Sequence, residues 1–418
     1  MDRRDFIKTV GVAATVTSAP WIKTANAQSG SIRIGLISPL TGVVASGGKE
    51  LVEGFELYWK QAGLTIAGRP VEIIIEDDAS NPDTALQKAR RLVEQRDVHF
   101  LVGSVLANTG LAIAEYARTS GVPYFIPVVA ADDLTQRKRI PNIIRVAGYS
   151  ASQMTRPLAD YAYNVKKVRK IVTISQDYTF GHEQCGGFCQ TFTELGGKVT
   201  QQFWHPLNTA DFGPYLAQIQ NAGVDAVFVM ETGADANRMI KQFQTFGLQG
   251  KLPMYGAMNC TDQSVIRTLG PEAAGIISSA HFAEGSDNPA TKRFVADYQS
   301  AYSKLPSLYG FSHYSGALWL AEAMRKVNGN VEDRANFLKA VNSITLTNSP
   351  LGRPVKLDSY GNPIYDVFIR ETKLRPDGKC WNVPIEVYPN VSQFWKYDPE
   401  TYMKQPPYSR DFQGIKNS

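Results

Sequence analysis

Ile32-Arg33-Ile34-Gly35-Leu36-Ile37-Ser38-Pro39-Leu40-Thr41-Gly42 is the stretch that decides the fold class. Its first part is a short, nearly continuous apolar run that breaks at a proline and a glycine, the pattern of a strand buried on both faces of a parallel sheet. Glu50 to Ala62 follows as an amphipathic helix with Leu51, Phe55, Tyr58 and Trp59 on its apolar side. Val71 to Glu76 is a second strand, and Asn81-Pro82-Asp83 opens a helix that runs to about Arg96. Strands at Phe100 to Val102 and Tyr124 to Ile126 flank a helix at Leu111 to Ser120. This β-α-β-α-β-α-β order predicts a parallel sheet covered on both faces.

The pattern then restarts. Strands are expected at Ile143–Val146, Lys170–Ser175, Val199–Trp204, Ala226–Met230, Pro253–Gly256 and Gly275–Ala280, with helices between them. Three helices follow, Pro289–Ser303, Ser307–Val327 and Asp333–Asn342, then a Pro-, Tyr- and Trp-rich tail with one strand at Tyr365–Arg370. The expected fold is α/β, with two doubly wound Rossmann-like lobes joined by hinge strands. The expected division is 30–148 plus 281–357 for one lobe and 149–280 plus 358–418 for the other. A chain of 418 residues exceeds what one core usually supports.

The amino terminus carries its own signal. Arg3-Arg4-Asp5-Phe6-Ile7-Lys8 is a twin-arginine pattern, the stretch Thr9 to Ala19 is only mildly apolar, and Ala25-Asn26-Ala27 offers a small–x–small cleavage site. Residues 1–27 therefore read as an export signal that is removed, placing the mature chain in the periplasm. Removing Arg3, Arg4, Lys8, Lys23, Asp2 and Asp5 leaves 40 basic and 37 acidic residues, too balanced to suggest a nucleic-acid partner. Four cysteines are too few for a disulfide scaffold: Cys185 and Cys189 are spaced i, i+4, and Cys260 and Cys380 are open to pairing or to staying free. None of the five histidines stands at metal-ligand spacing from a cysteine or another histidine, so no metal is expected.

In open parallel sheets ligands gather beyond the carboxyl ends of the strands. The loops there contain only two acids, Asp177 and Glu231, and no histidine or lysine, which speaks against acid–base catalysis. No strand–GxGxxG–helix, Walker pattern or G-x-S-x-G elbow occurs, and Gly42, Gly47 and Gly48 read as tight-turn residues. Neither a cofactor nor an enzyme is expected.

The segments Ile34 to Gly42, Glu76-Asp77-Asp78-Ala79 with Pro82, Leu101-Val102-Gly103-Ser104, Gln176 to Gly181, and Ala217 to Phe228 with Gly223-Val224-Asp225 carry a resemblance. In order and spacing the chain resembles the branched-chain amino-acid family of ABC transporter solute-binding proteins, of the type I periplasmic fold. That resemblance implies two lobes around one cleft, no cofactor, no catalysis and a membrane permease as partner; a monomer is expected. Amino-acid-binding members place small hydroxyl residues where this chain has Ala107 and Ala130, an ammonium-holding acid where it has Met258, and a pocket aromatic where it has Gly47. A buried ammonium without a carboxylate would be costly. These departures shift the expected ligand from an amino acid to a small carboxylate with an apolar body, an aromatic acid among the candidates.

The carboxylate is expected near Asn108 and Thr109 at a helix N-terminus. The apolar part is expected among Leu40, Val129, Tyr178, Phe180 and Met258, with Thr41, Ala107, Ala130, Asp177 and Thr232 completing the site. The alternatives are a branched-chain amino acid or amide, with Asp177 or Glu231 holding the ammonium, and a ligand sensor of the same fold. An enzyme using Cys260 is the reading from a different class.

Overall fold

The computed structural model describes residues 30–416, so the expected export signal at 1–27 lies outside the described residues. The chain begins with β1 (Ile32–Ser38), α1 (Ala45–Gln61), β2 (Thr65–Ile66), β3 (Arg69–Asp77), α2 (Pro82–Glu94), β4 (Phe100–Gly103), α3 (Ala107–Ser120), β5 (Tyr124–Phe125) and β6 (Ile143–Ile144). It continues through α4 (Ala151–Asp160), β7 (Lys170–Gln176), α5 (Thr179–Glu194), β8 (Lys198–His205), α6 (Gly213–Gln220), β9 (Ala226–Met230), α7 (Gly233–Thr245), β10 (Met254–Gly256), α8 (Gln263–Ile266) and β11 (Ile277–Ala280). Then come α9 (Pro289–Tyr302), α10 (Leu308–Lys326), α11 (Arg334–Asn342), β12 (Thr345–Leu346), β13 (Val355–Leu357), β14 (Pro363–Leu374), β15 (Cys380–Val391) and α12 (Pro399–Met403).

Two sheets result. The first has the order β2-β3-β1-β4-β5-β6, all parallel except the β2 hairpin strand. The second runs β12-β13-β14-β11-β10-β9-β7-β8, with β15 added to β14. Its parallel part, β8-β7-β9-β10-β11, repeats the strand order of the first sheet. Both are doubly wound with a chain reversal beside the first strand, the place where such sheets open a crevice. The chain passes between the two layers after β6, after β11 and after α11, where α9 and α10 have returned to pack on α1.

Local chemistry sets the element ends. Asn81 caps α2 through Thr84 N–H, with Pro82 at the first helical position, and Ser150 with Gln153 forms a capping box on α4. The reading of Gly47 and Gly48 as turn residues is corrected: both lie in the first turn of α1, and only Gly42 occupies a turn, at φ +90°. A Cβ on Gly48 would stand 2.0 Å from the Pro39 carbonyl oxygen, and one on Gly54 equally close to that of Gly310. Glycine is therefore what lets α1 lie against the β1 loop and α10.

The tail holds more structure than the one expected strand. β14 extends over twelve residues and pairs with β15 in a long antiparallel hairpin. Beyond it, Tyr402 and Tyr408 accept hydrogen bonds from the buried Arg156 of α4, at 2.9 and 2.8 Å, which fastens the carboxyl end to α4. All four cysteines are buried free thiols. No helix among the described residues is long and apolar enough to cross a membrane.

Candidate ligand-binding cleft

The carboxyl ends of both sheets converge on one narrow, largely closed cleft. From the first sheet come Val105, Leu106 and Ala107 after β4, and Val128 and Ala130 after β5; Val44 precedes α1. From the second come Tyr178 and Phe180 after β7, Thr232 after β9 and Asn259 after β10. Tyr149, on the first crossing segment, and Tyr309, in α10, close the cleft. A larger hollow near Leu252, Pro253 and Ile276 is built by the second layer alone, at the amino ends of β10 and β11. Doubly wound sheets do not place ligands at that end.

Of the residues expected from sequence, the cleft brings together Ala107, Ala130, Tyr178, Phe180 and Thr232. The other seven are engaged elsewhere. Leu40 and Thr41 tie the β1 loop to Asp77, which accepts from both backbone N–H groups and from the Thr41 hydroxyl. The Asn108 side chain accepts from Thr109 N–H, and the Thr109 hydroxyl turns back to the Leu106 carbonyl at 2.8 Å. Val129 packs on α3, where a Cβ on Gly110 would touch it, and its carbonyl accepts from Arg145. Asp177 is paired with His182 and Arg410. Met258 is fully buried, with its carbonyl bound by Arg370.

Three sequence-level omissions matter. Asn259, one position beyond Met258, is the residue that faces the cleft. Tyr309 arrives from α10 and lies over Gly47, where a Cβ would stand 2.7 Å from its ring. The room that Gly47 leaves is thus filled by an aromatic from a distant helix. Tyr149 had no local signal beyond its place next to a crossing segment.

The electrostatics are distinctive: no charged side chain lines the cleft among the described residues. Its polar groups are three phenols, one hydroxyl and one amide. Burial holds the Tyr149, Tyr178 and Tyr309 phenols above their ordinary range, so they stay neutral. On the opposite wall α3 begins at Ala107 with no cap from Leu106, while Asn108 Oδ1 takes the Thr109 N–H. The first N–H groups of a helix have no partner within the helix, and its dipole favours an anion there.

Glu231 lies behind the cleft wall. It is fully buried, with Oε1 2.6 Å from His205 Nε2, while His205 Nδ1 faces the Pro206 carbonyl at 3.0 Å. With Asp235 these residues form the one cluster of three potential metal ligands among the described residues. Asp235 is already committed to Gln176, the Asn208 N–H and Arg238, and the close His205–Glu231 contact leaves no gap for an ion between them. The cluster therefore reads as a hydrogen-bond network.

Burial pushes Glu231 up to about 7. Burial alone would lower His205, but its hydrogen bond to Glu231 and that group's charge outweigh it and raise it. The raised Glu231 favours the protonated folded form, so it stabilises the fold at low pH and loses that contribution as pH rises from about 4.5 through about 7. Replacing Glu231 by Gln should remove this loss. The melting temperature of E231Q relative to the parent should therefore climb between pH 5 and pH 8, by an amount corresponding to about 2 kcal/mol. A constant difference across that range would show that the pair does not titrate there.

Comparison with known proteins agrees with this geometry. The sequence matches the periplasmic binding protein family over residues 31–379. A Leu/Ile/Val-binding protein homolog of Brucella abortus (strain 2308) is 25% identical over 384 residues, covering 90% of this chain and 96% of its own. An ABC transporter substrate-binding protein from Sphaerobacter thermophilus superposes with a TM-score of 0.81 at 31% identity, over 87% of this chain and 99% of its own. An ABC transporter solute-binding protein of R. palustris, solved in complex with benzoate, gives a TM-score of 0.81 at 27% identity, over 87% and 98%.

Proposed function

This chain belongs to the periplasmic binding protein family, and we propose that it captures a small aromatic carboxylate between its two layers and delivers it to an ABC importer. The observation that carries the reading is a cleft of apolar walls, phenols, one hydroxyl and one amide, with no charged side chain and with the start of α3 at its edge. Neither acid that could have held an α-ammonium faces it: Asp177 is paired with His182 and Arg410, and Glu231 with His205. A zwitterionic amino acid would bury its ammonium without a carboxylate partner. A planar acid places its anion at the start of α3 and its ring among Val44, Val128 and Phe180. The cleft is narrow, which suits a flat, single-ring ligand received as the two walls part. The similarity to a benzoate-bound solute-binding protein supports the same class.

In this reading 30–148 plus 281–357 and 149–280 plus 358–418 act as two lobes that close on the ligand, and the monomer docks on a membrane permease. The twin-arginine segment exports the chain to the periplasm. Changing Arg3 and Arg4 together to lysine should hold the precursor in the cytoplasm, as read by fractionation; normal periplasmic accumulation would contradict export by this route.

Calorimetry tests the ligand class. Benzoate and hydroxybenzoates should bind with one site per chain and raise the melting temperature, since a ligand bound only by the folded state stabilises it. Leucine should do neither. Leucine binding with no response to any aromatic acid would overturn the proposal.

A further inference from the structure

Asn259 is 3% exposed and sits on the second-sheet wall of the cleft. Its Nδ2 donates to Tyr309 Oη at 2.9 Å, and Tyr149 is also a hydrogen-bond partner. Its Oδ1 has no hydrogen-bond partner among the described residues. A buried amide oxygen without a donor is strongly disfavoured, and the cleft's other polar groups do not supply one. The Thr232 hydroxyl donates to Gln176, and the two phenols nearest Asn259 are its own partners through the amide. With Nδ2 given to the phenols, Oδ1 is the amide atom left to accept from a ligand.

From this arrangement we infer that Asn259 selects ligands carrying a hydrogen-bond donor on the ring, so that the preferred substrates are hydroxylated aromatic acids rather than benzoate itself. The inference rests on the aromatic-acid reading above and adds a polarity to it. A carboxylate set against Oδ1 itself would bring two acceptors face to face. The start of α3 on the opposite wall receives it better, through the N–H groups ahead of Thr109 and the helix dipole. The ring hydroxyl then meets Oδ1. The ligand touches one wall through its anion and the other through its hydroxyl, so the donor that satisfies Asn259 also links the two layers in the closed form. An ammonium could donate to Oδ1 as well, but no acidic side chain lines the cleft to balance its charge.

Calorimetry of the full chain with benzoate, 3-hydroxybenzoate, 4-hydroxybenzoate and 4-methoxybenzoate separates the outcomes. The hydroxybenzoate whose donor reaches Asn259 should bind about tenfold to a hundredfold more tightly than benzoate. The methoxy compound, which keeps the oxygen but not the donor, should show no such gain. In Asn259→Leu the preference for the hydroxy compound over benzoate should vanish, whatever happens to the absolute affinities. Equal affinity of the parent for benzoate and both hydroxybenzoates would overturn the inference and leave the aromatic-acid reading standing. So would a hydroxyl preference that persists in Asn259→Leu. If no aromatic acid binds, both fall together. Should Asn259→Leu fail to fold, the parent's discrimination between the hydroxy and methoxy compounds decides alone.

Discussion

Replacing Ala130 with phenylalanine is expected to abolish capture of aromatic acids, weakening affinity more than a hundredfold. Ala130 is 2% exposed and contributes to the cleft wall, and its carbonyl is fixed by the Ala151 N–H. Its backbone belongs to a loop clamped by Arg145, which donates to the carbonyls of Val129 and Ala131. The new ring cannot swing the backbone away, so it must enter the cleft, which is narrow and has little room to spare. There it takes the place of the ligand's own ring. Where the cleft cannot hold it, overpacking costs about 1–3 kcal/mol, relieved by separation of the two walls. The melting temperature of the free protein should therefore change little compared with the loss of affinity. Calorimetry with 4-hydroxybenzoate and a thermal melt read both. Undiminished binding in A130F would place the ligand elsewhere.

The second large effect concerns closure. Glu50 of α1 is 1% exposed and accepts from Arg267, which follows α8, at 2.5 Å, with Lys304 at 3.8 Å. Arg267 also donates to the Leu305 carbonyl, and Asp262 in the same segment accepts from Leu308 N–H. This network joins the two layers along one edge of the cleft. Removing one partner of a buried ion pair costs about 3–5 kcal/mol. Arg267 is partly exposed, which reduces the figure to about 2 kcal/mol. Because the contact exists only when the layers meet, Glu50→Ala should tax closure more than folding. The expected result is affinity weakened about 30-fold, with scattering showing a less compact ligand-bound population than in the parent. A double-mutant cycle with Arg267→Met should show strong coupling between the two sites. Additive losses would mean that the pair does not act as a latch.

The parallel strands were legible because burial on both faces leaves continuous apolar runs, as in Ile32–Ser38 and Ala226–Met230. The cleft loops were legible for a topological reason, since ligand-facing residues must follow strand ends; this is how Ala107, Ala130, Tyr178, Phe180 and Thr232 could be named. The starts of helices were less so. α3 begins at Ala107 and not at Leu111, which made its first turn look like loop and turned Asn108 and Thr109 into apparent ligand contacts. Their side chains are spent on the turn itself. β15 escaped notice because Pro384 and Pro389 interrupt it and most of its residues are only half-buried. Tyr309 was beyond reach: α10 is buried nearly all round, so periodicity cannot tell which of its residues faces a cleft formed with Gly47.

The most direct test of the central claim is a crystal structure of the chain grown with 4-hydroxybenzoate. The account predicts one molecule between the two layers, its carboxylate at the first turn of α3 near Ala107, its ring against Val128 and Phe180, and its hydroxyl within hydrogen-bond distance of Asn259 Oδ1. A ligand bound only in the hollow near Leu252 and Ile276, or one lying in the cleft with its carboxylate against Asn259, would contradict it.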